Sequence, residues 1–317
     1  MPNKTTELSD LAKNGLRKRY KTVALSLSER LEYELNVIES INASAYFLLL
    51  CDILKHINHL GFCHFCPRNA NASLVCYCLG LTDIDPIEHD LLFESFIIPG
   101  QKHLPDFNLE FDSTEKLQAT KAILEKFGLS KLGPVPLVIS GRKNLKLQID
   151  TINRIQKKHK VKINPWKLPL DDKKTWAHFQ KKEKYKPGCF KDLLSVVSLS
   201  NQKSGKKIKQ YFRFQDQILR IAQTIGGFTL EKAEELRKAL ENKDKKVIEK
   251  QASVFSANAQ RRKIAKQDAI AIFSKMKKIA PYALYKTEAV AEAYFIFLGA
   301  FLKAHYPEEF ISRNQNK

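Results

Sequence analysis

The chain has 317 residues, of which 44% are hydrophobic and 10% aromatic, a composition typical of a globular protein with a well-buried core. No apolar run reaches the length of a membrane span, and the polar N-terminus lacks the apolar core of a secretion signal, so we expect a cytoplasmic protein without a membrane partner. The formal net charge is +20. A surplus of this size favours nucleic acid as a partner, although lysines that only solvate a surface would give the same count.

The positive charge is concentrated in short runs. Lysine and arginine dominate six of them, at residues 17–21, 157–162, 181–186, 203–209, 243–250 and 261–266. Residues 1–22 are predicted to form a basic N-terminal tail that is poorly ordered or partly helical. Residues 157–186, rich in lysine and with scattered prolines, are interpreted as connecting structure near the boundary of two domains, 23–200 and 201–317.

Hydrophobic periodicity predicts both helices and strands in the first two thirds of the chain. The predicted helices there lie at 27–41, 45–59, 73–79, 114–127 and 145–159. Short apolar runs predict strands at 94–98, 107–111 and 134–139. From residue 215 onward the pattern is helical throughout, with helices at 230–242, 247–263, 266–280 and 288–306. Ser28 and Thr229 are predicted N-caps.

The strongest chemical signal is the sequence LPDFNLEF at residues 104–111. Side chains alternate between the faces of a β-strand, so Asp106, Asn108 and Glu110 would share one face. Acidic residues in this arrangement can hold a divalent metal, but the middle residue here is an amide. The stretch therefore indicates a metal-dependent catalytic strand that has lost one ligand.

Other motifs accompany this stretch in a fixed order. They read LGLTDIDP at 79–86, LLFESFIIP at 91–99, QDQIL at 215–219, LRKAL at 236–240 and LKAHYPEEF at 302–310. Together they resemble the alpha subunit of bacterial DNA polymerase III, the C-family replicative polymerases, whose motifs read LGITDIDP, LFERFLNP, PDxDxDF, QEQVM, LRRAM and LKAHYPxEF. The resemblance implies an α+β fold, with a nucleotidyltransferase-like palm of a small mixed sheet and helices over residues 23–200. An all-helical fingers-like region would follow over residues 201–317.

The catalytic positions of that family are degenerate in this chain. In the resemblance, Asp106 keeps the first metal ligand and Asn108 replaces the second. The family's remaining catalytic aspartate lies in FDFLGL, which here reads LVISGR at 137–142, so Val138 takes its place. An amide is a weak ligand for Mg²⁺, and a valine is none. Glu110 is a third acidic position, which the family does not use as its main ligand.

The positions that the resemblance assigns to nucleotide or DNA binding have changed as well. The family's glycine-rich GPGRGSAAGSLV corresponds to CPRNANASLV at 66–75, in which the glycines are lost. Arg68 is the candidate phosphate ligand that remains there. In the fingers-like region, the candidate ligands for nucleotide or DNA are Arg237, Lys238 and Lys286.

Residues 112–136 alone join the two candidate catalytic strands, whereas the family has a long segment there that includes the DNA-gripping thumb. We therefore predict that the thumb is deleted. We interpret the chain as a catalytically inactive polymerase relative that binds DNA or a replication or repair partner and needs no cofactor. The alternative is a residual DNA-directed DNA polymerase or nucleotidyltransferase, in which Asp106 and Glu110, with Asp112 reaching in, hold Mg²⁺. A third hypothesis is a protein-interaction module whose charge serves solubility only.

Two other groups of residues could suggest a metal. Zinc is suggested by the spacing of four cysteines, Cys63, Cys66, Cys76 and Cys78. The gap of nine residues between the two pairs is short for a zinc site, so we favour small buried hydrophobic side chains. Disulfides are not expected in a cytoplasmic chain. For the paired carboxylates Asp171 and Asp172, we favour an N-cap of the next helix over a metal site.

Overall fold

The computed structural model describes residues 3–112, 115–127, 136–142, 144–165, 167–182, 186–200 and 214–310. Two compact units are present: unit 1 contains Met1–Phe190 and Val290–Lys317, and unit 2 contains Lys191–Ala289. The boundaries predicted from the sequence, at 22/23 and 200/201, differ from this division. The last helix, Lys286–His305, begins in unit 2 and ends in unit 1.

The first helix, α1 (Lys4–Arg19), lies where the sequence suggested a tail. Leu8, Ala12 and Leu16 recur at every fourth position and are buried. Gly15 lets the helix approach the protein backbone closely, since a Cβ there would collide with the carbonyl group of Cys78. Residues 4–19 therefore form a packed helix, in agreement with the partly helical alternative and not with poor order, because a short apolar stripe runs between the polar residues.

Three predicted helices are confirmed, with the bounds α2 (Leu25–Ser40), α3 (Ser44–His59) and α4 (Leu74–Leu79). Helix α2 begins before Ser28, and Ala24 occupies its N-cap position, so the predicted Ser28 cap is wrong. Helix α4 begins after Ser73, whose hydroxyl accepts a hydrogen bond from the Cys76 amide at 3.1 Å. This cap fixes the direction in which α4 leaves the preceding loop.

Three short strands form one mixed sheet, in the order β1 (His64–Phe65), β2 (Phe107–Asp112) and β3 (Leu137–Arg142). Strand β1 is antiparallel to β2, whereas β2 and β3 are parallel. Parallel neighbours need a crossover connection, and helix α5 (Lys116–Phe127) lies in it. The small mixed sheet expected from the sequence is thereby confirmed.

One predicted strand, at 94–98, is wrong. Phe93–Ser95 forms a turn of 3₁₀ helix instead, and Phe93 and Ile97 are both fully buried. A buried turn produces the same short apolar run as a buried strand, so composition could not separate them. The strand predicted at 134–139 is found from Leu137 onward, and residues 134–135 lie outside the described residues.

Helix α6 (Leu145–His159) has the predicted bounds, and α7 (Lys173–Lys182) lies within the segment interpreted as a connection. Asp172 is the cap of α7, as predicted. Its Oδ2 accepts hydrogen bonds from the Thr175 amide at 2.7 Å and the Thr175 hydroxyl at 2.6 Å. The same oxygen lies 2.8 Å from His305 Nε2, so Asp172 joins α7 to the end of the last helix.

We predict that Asp172→Ala lowers the free energy of unfolding by about 1–2 kcal/mol at neutral pH, the usual cost of losing a helix cap. Burial raises the pKa of Asp172, but hydrogen bonds from His305 and Thr175 outweigh it and lower the pKa below its usual value. A lowered folded pKa stabilises the protein above the unfolded pKa of about 3.9, so the difference from wild type should shrink as the pH falls below that value. Urea unfolding at several pH values measures this.

The matched control for this prediction is Asp171→Ala, because Asp171 is the exposed neighbour. Its effect should stay within about 0.5 kcal/mol, as for most surface substitutions. Equal effects of the two substitutions would contradict the assigned cap.

Unit 2 is helical in the residues described. Its helices are α8 (Phe190–Ser200), α9 (Gln215–Thr224), α10 (Leu230–Asn242), α11 (Lys245–Arg261), α12 (Lys266–Ile279) and the start of α13 (Lys286–His305). Leu236, Phe255 and Met276 are fully buried, one from each of three successive helices. Thr229 caps α10, as predicted, by accepting a hydrogen bond from the Lys232 amide at 3.4 Å.

Among described residues no single helix has the length and hydropathy of a membrane span. Helices α2 and α3 pass that test only together, as a pair bent by 107°.

Candidate active-site strand

The candidate catalytic residues lie along one face of β2. The opposite face carries Phe107, Leu109 and Phe111, which are fully buried and fix the orientation of the strand. Asn108 and Glu110 consequently point away from that core, and Asp106, just before the strand, is exposed. The alternation predicted from the sequence is present.

The parallel register places the two degenerate positions side by side. Asn108 pairs with Val138, and Glu110 pairs with Ser140 on β3. Paired residues of neighbouring strands present their side chains on the same face. Where the resemblance expects two carboxylates from adjacent strands, the sheet thus presents an amide beside a half-exposed isopropyl group.

An arginine occupies the end of this face. The Arg142 guanidinium forms an ion pair with Glu110 and a second one with Glu292 of α13, at 2.9 Å. It also lies over two aromatic rings, 4.6 Å from the centroid of Phe65 and 4.4 Å from that of Phe295. We call these five residues the arginine box.

The arginine box contains one guanidinium and two carboxylates. Burial acts to lower the pKa of Arg142, but the hydrogen bonds and negative charges of Glu292 and Glu110 outweigh it and raise the pKa above its usual value. The guanidinium is therefore permanently charged, and it neutralises the carboxylate of Glu110. A guanidinium donates hydrogen bonds but has no exchangeable coordination site, so it cannot activate a nucleophile as a metal ion does.

The remaining carboxylates do not fit a two-metal site. The Cα atoms of Asp106 and Glu110 are four residues apart along an extended chain, about 13 Å, so one ion cannot bind both side chains. Asp112 is buried, and its Oδ2 accepts a hydrogen bond from the Lys146 amide at 3.0 Å, at the start of α6. Within the described ranges, no group of three or more His, Cys, Asp or Glu side chains could hold a metal ion.

The segment that replaces the glycine-rich loop is held by side-chain hydrogen bonds of its own. Asn71 is buried and donates hydrogen bonds to the carbonyl oxygens of Cys66, at 2.8 Å, and Arg68, at 3.0 Å. The side chain of Arg68 itself is exposed. Arg68 therefore remains accessible, but the loop around it is held by a side chain rather than opened by glycines.

The amide groups that open α4 already bind a carboxylate from within the protein. Glu34 of α2 is fully buried and accepts hydrogen bonds from the Ser73 hydroxyl at 2.7 Å and from the amides of Leu74 and Val75, both at 3.0 Å. Arg30 Nε adds a fourth hydrogen bond at 2.6 Å. These amides are consequently unavailable to a phosphate.

Arg237, a candidate ligand in unit 2, is buried within that unit. Its guanidinium contacts Gln215, pairs with Glu234 at 2.7 Å and with Glu241 at 2.9 Å, and lies 5.2 Å from the ring centroid of Tyr285. A cation with these partners stabilises the helices around it. The surroundings of Arg237 therefore do not support the predicted phosphate-binding role.

The other two candidates in unit 2 have different positions. Lys238 is exposed, and its Nζ lies 3.6 Å from Glu234. Lys286 begins α13, and its backbone amide donates a hydrogen bond of 2.7 Å to buried Asp216. Asp216 thus holds the start of α13, which explains why the motif containing it accompanies Lys286 in the sequence.

Two family models match the chain. Residues 6–229 match the bacterial DNA polymerase III alpha NTPase domain, and residues 206–263 match the finger domain of the same alpha subunit. The chain belongs to the bacterial DNA polymerase III alpha subunit family. The resemblance inferred from the motifs is thereby confirmed.

Curated relatives in this polymerase family are similar over most of the chain. The DNA polymerase III subunit alpha of Escherichia coli K12 is 23% identical over 462 residues, covering 90% of this chain and 40% of the relative. The protein of the same name in Bacillus subtilis is 21% identical, covering 96% and 42%, and that of Aquifex aeolicus is 22% identical, covering 100% and 45%. The chain spans less than half the length of these relatives.

The cysteines of this polymerase relative lie inside unit 1. Cys66, Cys76 and Cys78 are buried and Cys63 is half-buried, all as free thiols. Burial raises the pKa of Cys66 and of Cys78 to about 12. Among the described residues no group of three or more His, Cys, Asp or Glu side chains could hold a metal ion, which supports the hydrophobic role that the sequence favoured.

Sequence reasoning missed the partners of the strand face. Glu292 lies 150 positions from Arg142, and Glu34 was only one residue of the helix predicted at 27–41. No local pattern signals either contact, because both depend on which helices pack together. A buried-looking glutamate on an apolar helix stripe, as at Glu34, is the one hint that was available.

Proposed function

We propose that this chain is a non-catalytic member of the polymerase family that binds DNA, or a replication or repair partner, through its basic surface. The observation that carries the loss of catalysis is the arginine box. A polymerase needs two ions held by carboxylates at the growing end of the primer. Here Asn108 and Val138 stand at two of the three ligand positions that the resemblance assigns, beside the retained Asp106, and Arg142 is the counter-ion of Glu110, the other acid of this strand face.

Deletion of the thumb belongs to the same proposal. The alignments with the relatives run over 462 to 519 residues, more than the 317 residues of this chain, so the relatives carry inserted segments that it lacks. In this chain α5 is the helix described between β2 and β3. Without the thumb, DNA would be held by charge alone. A cytoplasmic location remains a prediction from the sequence.

The first test is a primer-extension assay with Mg²⁺ or Mn²⁺. We expect no template-dependent incorporation by the wild-type chain, because Asp106 and Glu110 are too far apart along the strand to share one ion. The whole E. coli relative serves as the active control. Incorporation that Asp106→Ala abolishes would overturn the proposal.

The exposed carboxylate of Asp106 favours the second candidate, a residual nucleotidyltransferase. In that case Asn108→Asp should create or raise an Mg²⁺-dependent activity. We expect no gain from Asn108→Asp, because the neighbouring position on β3 is still Val138 and Glu110 is still paired with Arg142. Val138→Asp combined with Asn108→Asp tests whether one further ligand suffices.

A further inference from the structure

The end of helix α6 carries a dense run of positive charge with no acidic residue inside it. Residues 151–170 contain six lysines and arginines and no aspartate or glutamate. Lys160 ends the helix in the left-handed conformation, and the Gln156 side chain donates a hydrogen bond of 3.1 Å to the Ile163 carbonyl oxygen. The chain thereby folds back on α6, so that Lys157, Lys160 and Lys162 are exposed within one short turn.

The turn after α13 shapes this surface. Glu309 accepts a hydrogen bond from Arg154 on its carbonyl oxygen, at 2.7 Å, and its Oε1 lies 2.7 Å from Lys158 Nζ and 2.9 Å from His159 Nε2. An open cleft of about 690 Å³ lies here, lined by Arg154, Lys157, Lys158, Glu308 and Glu309. Glu309 therefore holds part of the cluster in place while other lysines remain directed to solvent.

The comparable run on α1 is engaged with its own surroundings. Arg17 donates a hydrogen bond of 3.1 Å to Asn14 Oδ1, and the Arg19 guanidinium lies 4.2 Å from the ring centroid of Tyr77. The run that opens α11 alternates with acidic residues, including Asp244 and Glu249. The end of α6 combines an uninterrupted basic run with three exposed lysines, Lys157, Lys160 and Lys162.

Resting on the proposed function, we infer that the end of α6, residues 154–162, is the surface that binds the phosphodiester backbone of double-stranded DNA. Lysines are compact point charges on flexible stems, which suits phosphate contacts independent of base sequence. A duplex has a higher charge density than a single strand, and each phosphate that a duplex-binding protein neutralises releases more counterion. A cluster of point charges therefore gains more from a duplex.

The test uses the full chain and two matched triple variants. One is Lys157→Gln, Lys160→Gln and Lys162→Gln, and the control is Lys245→Gln, Lys246→Gln and Lys250→Gln on α11, where all three lysines are also exposed. Each variant removes the same charge from the molecule. Far-UV circular dichroism and thermal unfolding check that both variants fold as the wild type does.

Binding of a fluorescent duplex is measured by anisotropy over a range of salt concentrations. We expect the α6 variant to bind roughly a hundredfold more weakly at about 0.1 M salt, with a log–log salt slope less steep by about 2–3, because about three phosphate contacts are lost. The α11 variant should change by less than about tenfold, since it loses long-range attraction only.

The outcomes separate this inference from the proposed function. Wild-type chain that binds no DNA would overturn DNA binding as a whole. Binding that both variants weaken equally, or that only the α11 variant weakens, would overturn the assignment to α6 and leave DNA binding intact. Tighter binding of a single strand, of an RNA duplex or of polyglutamate than of the DNA duplex would overturn the assigned ligand.

Discussion

Replacing Glu34 by alanine is expected to lower the free energy of unfolding by about 3–5 kcal/mol, the cost of breaking a buried, hydrogen-bonded ion pair. Glu34 is fully buried between α2 and α4. The substitution leaves Arg30 without its carboxylate at 2.6 Å, and it leaves the amides of Leu74 and Val75 without an acceptor. Buried donors that lose their partners incur the full desolvation penalty.

A second substitution, Glu34→Gln, keeps the shape of the side chain. Burial raises the pKa of Glu34, whereas Arg30 and the amides of the α4 terminus lower it. All the groups that surround the carboxylate are donors, so the amide nitrogen of glutamine would face at least one of them. We expect Glu34→Gln to lower the free energy of unfolding by about 2–3 kcal/mol. This is a smaller loss than that of Glu34→Ala, but it is larger than the experimental error of an unfolding measurement.

Glu32→Ala is the matched control for Glu34. It lies on the same helix and pairs with Lys13 at 2.8 Å, but both side chains are largely exposed. An exposed pair contributes about 0–1 kcal/mol, so this variant should unfold near the wild-type urea midpoint. Similar midpoints for the Glu32 and Glu34 variants would show that the buried contact does not stabilise the fold as argued.

Arg142→Ala is expected to lower the free energy of unfolding by about 2–4 kcal/mol, below the full cost of a buried pair because Glu292 can reach solvent. The substitution removes the ion pairs to Glu110 and Glu292, and it removes the guanidinium from between Phe65 and Phe295. Urea unfolding with far-UV circular dichroism measures the loss.

A double-mutant cycle with Glu110→Leu and Arg142→Leu isolates the pair. Removing both partners should cost less than the sum of the single changes, because neither charge is left uncompensated. We expect a coupling energy of about 1–3 kcal/mol. Lys55→Ala is the control for the loss of an exposed ion pair, since Lys55 and its partner Asp52, at 3.2 Å, are both exposed. Additivity within about 0.5 kcal/mol would mean that Arg142 and Glu110 do not interact in solution.

The expected stability effect of Arg142 and the proposed loss of catalysis have the same structural origin. The Arg142 guanidinium of β3 pairs with Glu292 of α13 and with Glu110 of β2. Glu110 lies on the strand face that carries the candidate site. Removing Arg142 exposes Glu110 to a metal but does not bring Asp106 closer. We therefore expect no polymerase activity from that change alone.

Local patterns were sufficient for elements whose signals lie within the element itself. Helix α6 was predicted with its bounds, and the caps at Asp172 and Thr229 were predicted from residue type and position. The turn at Phe93–Ser95 was not predicted, because a run of buried apolar residues does not distinguish a turn from a strand. The bounds of helix α1 were not predicted, because its buried residues, Leu8, Ala12, Gly15 and Leu16, are interspersed with polar ones.

The sequence by itself determined the family and the alternation of Asp106, Asn108 and Glu110 on one strand face, and it predicts the loss of ligands there. These depend on residue identity and on the two-residue period of a strand. Only the tertiary structure decided that Val138 lies beside Asn108, that Arg142 is paired with Glu292, and that Arg237 is buried. Such contacts join residues far apart in the chain, and they follow from how helices and strands pack, which no local pattern records.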